Sequence, residues 1–115
     1  MYQYYKNRRT WVNAMALDFH NETTNEYLFG LDDHALNALE AIFTQWTHRT
    51  GLAIDPYKDT RLCVEHQRLL VNIIDTYANS RDLNQDKKKT SLIFEFKGIL
   101  KFCIDHHIDL IALGD

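Results

Sequence analysis

Apolar residues recur at three- and four-residue steps through Leu36, Leu39, Ile42, Phe43 and Trp46. That spacing puts them on one side of a 3.6-residue period and predicts a helix from Asp32 or Asp33 to about Arg49, with Gly51 as its stop. Its other side carries Asp33, Asn37, Glu40 and Thr44, and faces water or a partner. A second stripe, Leu62, Cys63, Leu69, Leu70, Ile73, Ile74 and Tyr77, predicts a helix from Asp59 or Thr60 to about Asn79. A third runs through Leu92, Ile93, Phe96, Ile99, Leu100, Cys103 and Ile104 behind a cap at Thr90 or Ser91. Taken alone, LIFEF also suits a strand, but the longer window favours a helix. The tail DHHIDLIALGD reads as a continuation of that helix or as a short final one.

The N-terminal third is less regular. Tyr2, Tyr4 and Tyr5 read as a flap or short extended arm. A helix is expected from Arg9 or Thr10 to Asn21, capped by Thr10, with Trp11 or Val12, Met15, Leu17 and Phe19 or His20 as its apolar stripe. Thr23 followed by Glu26 has capping-box spacing, so Asn21 to Leu31 reads as one or two helical turns ending at Gly30, with Leu31 as a staple before the next cap. The connection from Gly51 to Thr60 holds the single Pro56, and SRDLNQDKKK from Ser80 to Lys89 reads as a solvated loop.

Composition reinforces the helical reading. Four glycines and one proline supply few turn-formers for an all-β fold. The chain of 115 residues suits one domain able to bury a core without disulfides or metal. The expected architecture is therefore all-α, a single-domain bundle of four to six helices. No apolar run approaches the roughly 20 residues of a membrane helix, and MYQYYKNRRTW lacks the apolar stretch of a signal peptide. The expected compartment is the cytoplasm, with Cys63 and Cys103 as reduced, buried thiols.

Charge changes the picture more. The net charge is −3, and Thr10 to His48 contains Asp18, Glu22, Glu26, Asp32, Asp33 and Glu40 but no lysine or arginine. Such a surface disfavours nucleic acid and anionic membranes. A globular protein's ordinary solubility explains part of the excess, yet mixed signs serve solubility better than one sign, whereas a surface that meets a basic protein gains from one sign.

Two constellations compete with that reading. Cys63-x-x-His66 and Cys103-x-x-His106, with His107 adjacent, have spacing that converges as a tetrahedral zinc site if the helices are antiparallel. Both cysteines fall on or beside core stripes, where a thiol is simply a small hydrophobe, so no metal and no cofactor is expected. Arg61 and His66 match the Arg-x4-His spacing of the small helical ribonucleases called HEPN domains, and that resemblance makes His66 a general base and Arg61 a phosphate clamp. Leu62 replaces the polar residue usual in that family, and the acidic surface repels RNA. His20, His34 and His48 sit at expected helix ends, and no phosphate loop or nucleophile elbow appears.

In size, cytosolic character, helix content and the charge of DFHNETTNEYLFGLDDHALNALE, the chain resembles the small, acidic, all-helical immunity proteins of bacterial toxin systems, particularly those of contact-dependent growth inhibition. The resemblance implies a non-catalytic inhibitor forming a heterodimer with its cognate toxin domain, a cationic nuclease such as a ribonuclease, and covering its active site. The residues expected to bind are Asp18, Glu22, Glu26, Asp32, Asp33, Asn37 and Glu40, with Tyr27 or Phe29 as an aromatic anchor. The alternatives are the HEPN-like ribonuclease and a regulatory phage or mobile-element protein with some other partner.

Overall fold

A computed structural model describes residues 16–81 and 85–114. In chain order it contains β1 (Leu17–Asn21), β2 (Tyr27–Leu31), α1 (Asp33–Thr50), β3 (Thr60–Leu62), α2 (Val64–Asn79), α3 (Lys87–Asp105) and β4 (Leu110–Gly114). The strands form one antiparallel sheet in the order β2-β1-β4-β3, so the last strand lies between the first and the third. Three helices pack on one face of the sheet and on one another.

The sheet obeys a period of two. Leu17, Phe19, Leu62, Leu110 and Ala112 are buried beneath the helices, while Asp18, His20, Arg61 and Ile111 alternate with them onto the opposite face. Each helix contributes one stripe: Leu39, Ile42, Phe43 and Trp46 from α1, Leu70, Ile73 and Ile74 from α2, Ile93, Phe96, Leu100 and Cys103 from α3. Phe96 is the hub, its ring meeting Phe43 at 5.7 Å and both Phe19 and Phe29 at 6.2 Å between centroids. These distances suit aromatic pairs that touch by edge or tilt.

Polar side chains fix the joints. Asp32 caps α1 by accepting the Ala35 N–H at 2.9 Å, and Gly51 at φ 75° ends that helix. The N-terminus of α2 has no cap of its own, since Cys63 makes no such bond. Its Val64 N–H instead donates to the Asp109 carboxylate at 2.9 Å, from 45 residues away. Buried Gln67 donates to the carbonyls of Leu62 at 2.9 Å and Ile108 at 2.8 Å, tying β3 to the entry of β4. His107, at φ 54°, ends α3: its N–H reaches the Ile104 carbonyl and the next N–H, of Ile108, reaches that of Cys103.

The all-α expectation is thus corrected to α+β. Of the helix expected from Arg9 to Asn21, the part described is strand β1, whose alternating Leu17 and Phe19 face the core. The Tyr2, Tyr4 and Tyr5 arm and the Thr10 cap lie outside the described residues. The helical turns expected up to Gly30 are a hairpin, in which the Asn21 carboxamide oxygen accepts the N–H groups of Thr23 and Thr24 and Asn25 takes φ 65°. The tail through Ile111 and Leu113 is strand β4. The helix expected from Asp59 or Thr60 begins later, at Val64, because Thr60–Leu62 pairs with β4 as β3. α3 begins earlier than expected, at Lys87 behind the Asp86 cap, so Lys87 to Lys89 are helical rather than loop.

Candidate functional site

The residues expected to form one acidic face are divided by the sheet. Asp18 and Tyr27 stand on or beside the sheet face turned away from the helices, and Glu22 and Glu26 belong to the β1–β2 turn. Asp32, Asp33, Asn37 and Glu40 lie at and along the exposed side of α1, in the helical layer.

On the sheet side the charge is largely engaged. Glu22 meets the Arg61 guanidinium at 3.0 Å. Tyr27 is half exposed and packs edge-on to His20, with ring centroids 5.6 Å apart. Partial burial, and then the Asp18 carboxylate, raise its phenol above the usual range. Phe29 is partly buried: its ring stacks on Phe19 at 4.5 Å and it packs against the core.

On the α1 side it is not. Asp33 and Glu40 are exposed, and among the described residues neither takes part in an ion pair. They flank Asn37, one helical turn from each, so the three make a strip along the helix. Beside this strip runs a groove of about 380 Å³ between α1 and the connection to β3. Its lining includes apolar Leu36, Phe43, Ile54 and Pro56, with Asn37 and Glu40 at the polar margin. On the opposite flank, Lys88 and Lys89 of α3 share a hollow with His34 and Asn37. The strip that is free of cations in sequence is therefore bounded by two lysines in space.

Neither chemical constellation assembles. Arg61 leaves β3 on the face turned away from the helices and is held by Glu22, whereas the His66 ring lies on the helix side, edge-on to Trp46 at 5.6 Å. A phosphate clamp and a general base placed so do not share a substrate atom. Cys63 is exposed at the start of α2, Cys103 is buried in the core, and His106 stacks on Phe102 at 4.1 Å. Among the described residues no three His, Cys, Asp or Glu side chains gather around a point that a metal ion could occupy. Nor is any described helix long and apolar enough to cross a membrane.

The groove beside α1 is the feature that the sequence did not disclose. Leu36 and Phe43 belong to a recognisable helical stripe, but only the return of Ile54 and Pro56 against them makes a concave surface. Comparison with protein-family models, with curated proteins and with solved structures found no match.

Proposed function

We propose that this chain is a non-catalytic inhibitor, a bacterial cytoplasmic immunity protein that binds a basic toxin domain through α1. The observation that carries the reading is the pair of exposed carboxylates, Asp33 and Glu40, which no described cation neutralises. Unpaired surface carboxylates project a field that raises the encounter rate with a cationic partner and selects against acidic ones. The adjoining groove supplies what charge alone does not, an apolar recess for an anchoring side chain. An arginine suits it, with its stem on Phe43 and Ile54 and its guanidinium toward Glu40. Lys88 and Lys89 at the strip's border add polarity, favouring a toxin surface whose own charge changes sign across the contact.

The test is to express the chain together with the C-terminal domain of any exported protein that a neighbouring open reading frame encodes, as the candidate toxin. The wild-type chain protects the cells and co-purifies with the toxin domain, and Asp33→Lys/Glu40→Lys loses both. Full protection by the folded double variant removes α1 from the interface.

A further inference from the structure

The sheet turns one face to the three helices and the other away from them. On that second face the strand registers set Tyr27, His20, Ile111 and Arg61 in one row across the sheet, and Gly30, Asp18 and Leu113 in the next. Among the described residues no helix or strand packs on it. Ile111 and Leu113 of β4, an inner strand, are not among the side chains that pack with the core. They are nevertheless only partly exposed, as are Asp18 and His20, and one oxygen of the Asp18 carboxylate is shut off from solvent. Glu22 and Glu26 make the end of the face at the β1–β2 turn acidic, and the apolar pair lies between that turn and the start of β1.

We infer that residues 1–15 of this chain fold back over that face, with their apolar part on Ile111 and Leu113 and their cations at its acidic end. The segment reads MYQYYKNRRTWVNAM and holds three of the 13 Lys and Arg and none of the 16 Asp and Glu, which leaves ten cations against sixteen anions in the rest of the chain. Its point of attachment suits the path. The backbone bends at Ala16, directly before β1, where the Ala16 N–H donates to the Leu31 carbonyl at 3.0 Å. A chain that leaves this bend toward the β1–β2 turn runs along β1 and β4. The five residues of β1 span about 17 Å, and the seven from Ala16 back to Arg9 reach about 23 Å when extended. The order of residue types along the segment then matches their order on the face. Met15, Val12 and Trp11 come first, over Leu113 and Ile111, and Arg9, Arg8 and Lys6 follow, against Glu22 and Glu26. Glu22 already shares Arg61, while Glu26 is exposed and has no ion pair among the described residues. Burial of the Trp11 ring carries most of the gain, since exposed charge pairs contribute little, and the charges set the direction. The inference stands apart from the toxin-binding reading and leaves the α1 strip uncovered.

Trp11 reports on this directly, because the other tryptophan of the chain, Trp46, is buried in the core. Subtracting the emission spectrum of the full-length Trp11→Phe chain from that of the wild type isolates the Trp11 spectrum. It is expected to lie to the blue of its position in urea and to resist acrylamide quenching, at concentrations where sedimentation gives the monomer mass of 13.6 kDa. Arg8→Glu/Arg9→Glu reverses the charge match without changing any residue of the sheet or helices, and Ile111→Lys/Leu113→Lys removes the apolar seat. Each pair, measured with and without Trp11→Phe, is expected to return Trp11 to its urea position and to full quenching while far-UV circular dichroism stays that of the wild type. The arginine pair keeps the test decisive if the sheet pair fails to fold. A folded wild type whose Trp11 emits as it does in urea would overturn the inference, as would a blue shift that a folded variant leaves intact. A blue shift present only above the monomer mass would give the face to a second copy and overturn it too.

Discussion

Arg61 of β3 lies 3.0 Å from Glu22, the residue that follows β1, so a cation from the C-terminal half of the chain neutralises a carboxylate of the acidic N-terminal half. Charge counted along the sequence therefore overstates charge on the surface. Both side chains are substantially exposed, Arg61 at 76% and Glu22 at 32%, and exposed pairs of this kind contribute about 0.2–1 kcal/mol. Arg61→Ala is expected to leave the urea midpoint nearly unchanged and to add one free carboxylate to the sheet side. A large loss of stability would show that Arg61 does more than meet Glu22.

Gln67 is a buried polar residue that holds two backbone segments together. Its side-chain N–H groups satisfy the buried carbonyls of Leu62 and Ile108 at once. Gln67→Ala strands both and opens a cavity, and is expected to destabilise by about 2–4 kcal/mol in urea unfolding. Gln67→Glu is expected to be at least as damaging, because it replaces the donors with a buried acceptor.

Phe96→Leu tests the aromatic hub. Since the ring touches Phe19, Phe29 and Phe43, the substitution is expected to cost about 1–3 kcal/mol, and Phe96→Ala about 3–5 kcal/mol. If α1, β1 and β2 share one core, the chain unfolds in a single transition with the same midpoint by circular dichroism and by tryptophan fluorescence.

Alkaline titration reads the sheet side. Tyr27 ionises at higher pH in the folded chain than an ordinary phenol, because burial and then the Asp18 carboxylate oppose the phenolate. A folded-state pKa raised in this way contributes stability that is fully present below the unfolded value and is lost as pH rises through the folded one. Unfolding free energy is therefore expected to hold through neutral pH and to fall above about pH 10, with Tyr27→Phe flattening part of that fall. An identical alkaline limb in Tyr27→Phe would contradict the assignment.

The two thiols differ in the same spirit. Cys63 is exposed and Cys103 is buried, with burial raising the Cys103 thiol above its usual range. An alkylating reagent applied to the native chain is expected to label Cys63 first and Cys103 only on unfolding, as mass spectrometry of the digested product would show.

The helices were legible because their signals are redundant. Asp32 as cap, Gly51 as stop and five stripe residues between them all point to α1, and the structure ends that helix within a residue or two of expectation. The sheet was not legible because each strand is three to five residues long, and β4 pairs with β1 and β3 from far along the chain. In β1 the alternation of Leu17 and Phe19 with Asp18 and His20 is a period of two, but four residues also fit a helical stripe once Met15 is counted with them. Thr23 and Glu26 have the spacing of a helix start, yet the turn belongs to Asn21 and Asn25, one accepting two N–H groups and the other adopting a left-handed backbone. His107 likewise ends α3 in a conformation more often given to glycine. The scarcity of Gly and Pro therefore misleads: one hairpin needs few turn residues when helices make most of the other connections. Of the candidate site, the α1 strip was legible as the polar side of a helix, while the neutralised Glu22, the packed Phe29 and the groove at Ile54 and Pro56 depend on tertiary neighbours.

The proposed function requires α1 to present an anionic surface to a basic partner. Stopped-flow association of the chain with the purified toxin domain, measured over a range of salt concentration, tests this most directly. For Asp33→Lys/Glu40→Lys, association at low salt is expected to slow by about ten- to a thousandfold, with the gap closing as salt screens the field. Wild-type rates and the same salt dependence in the folded double variant would contradict it.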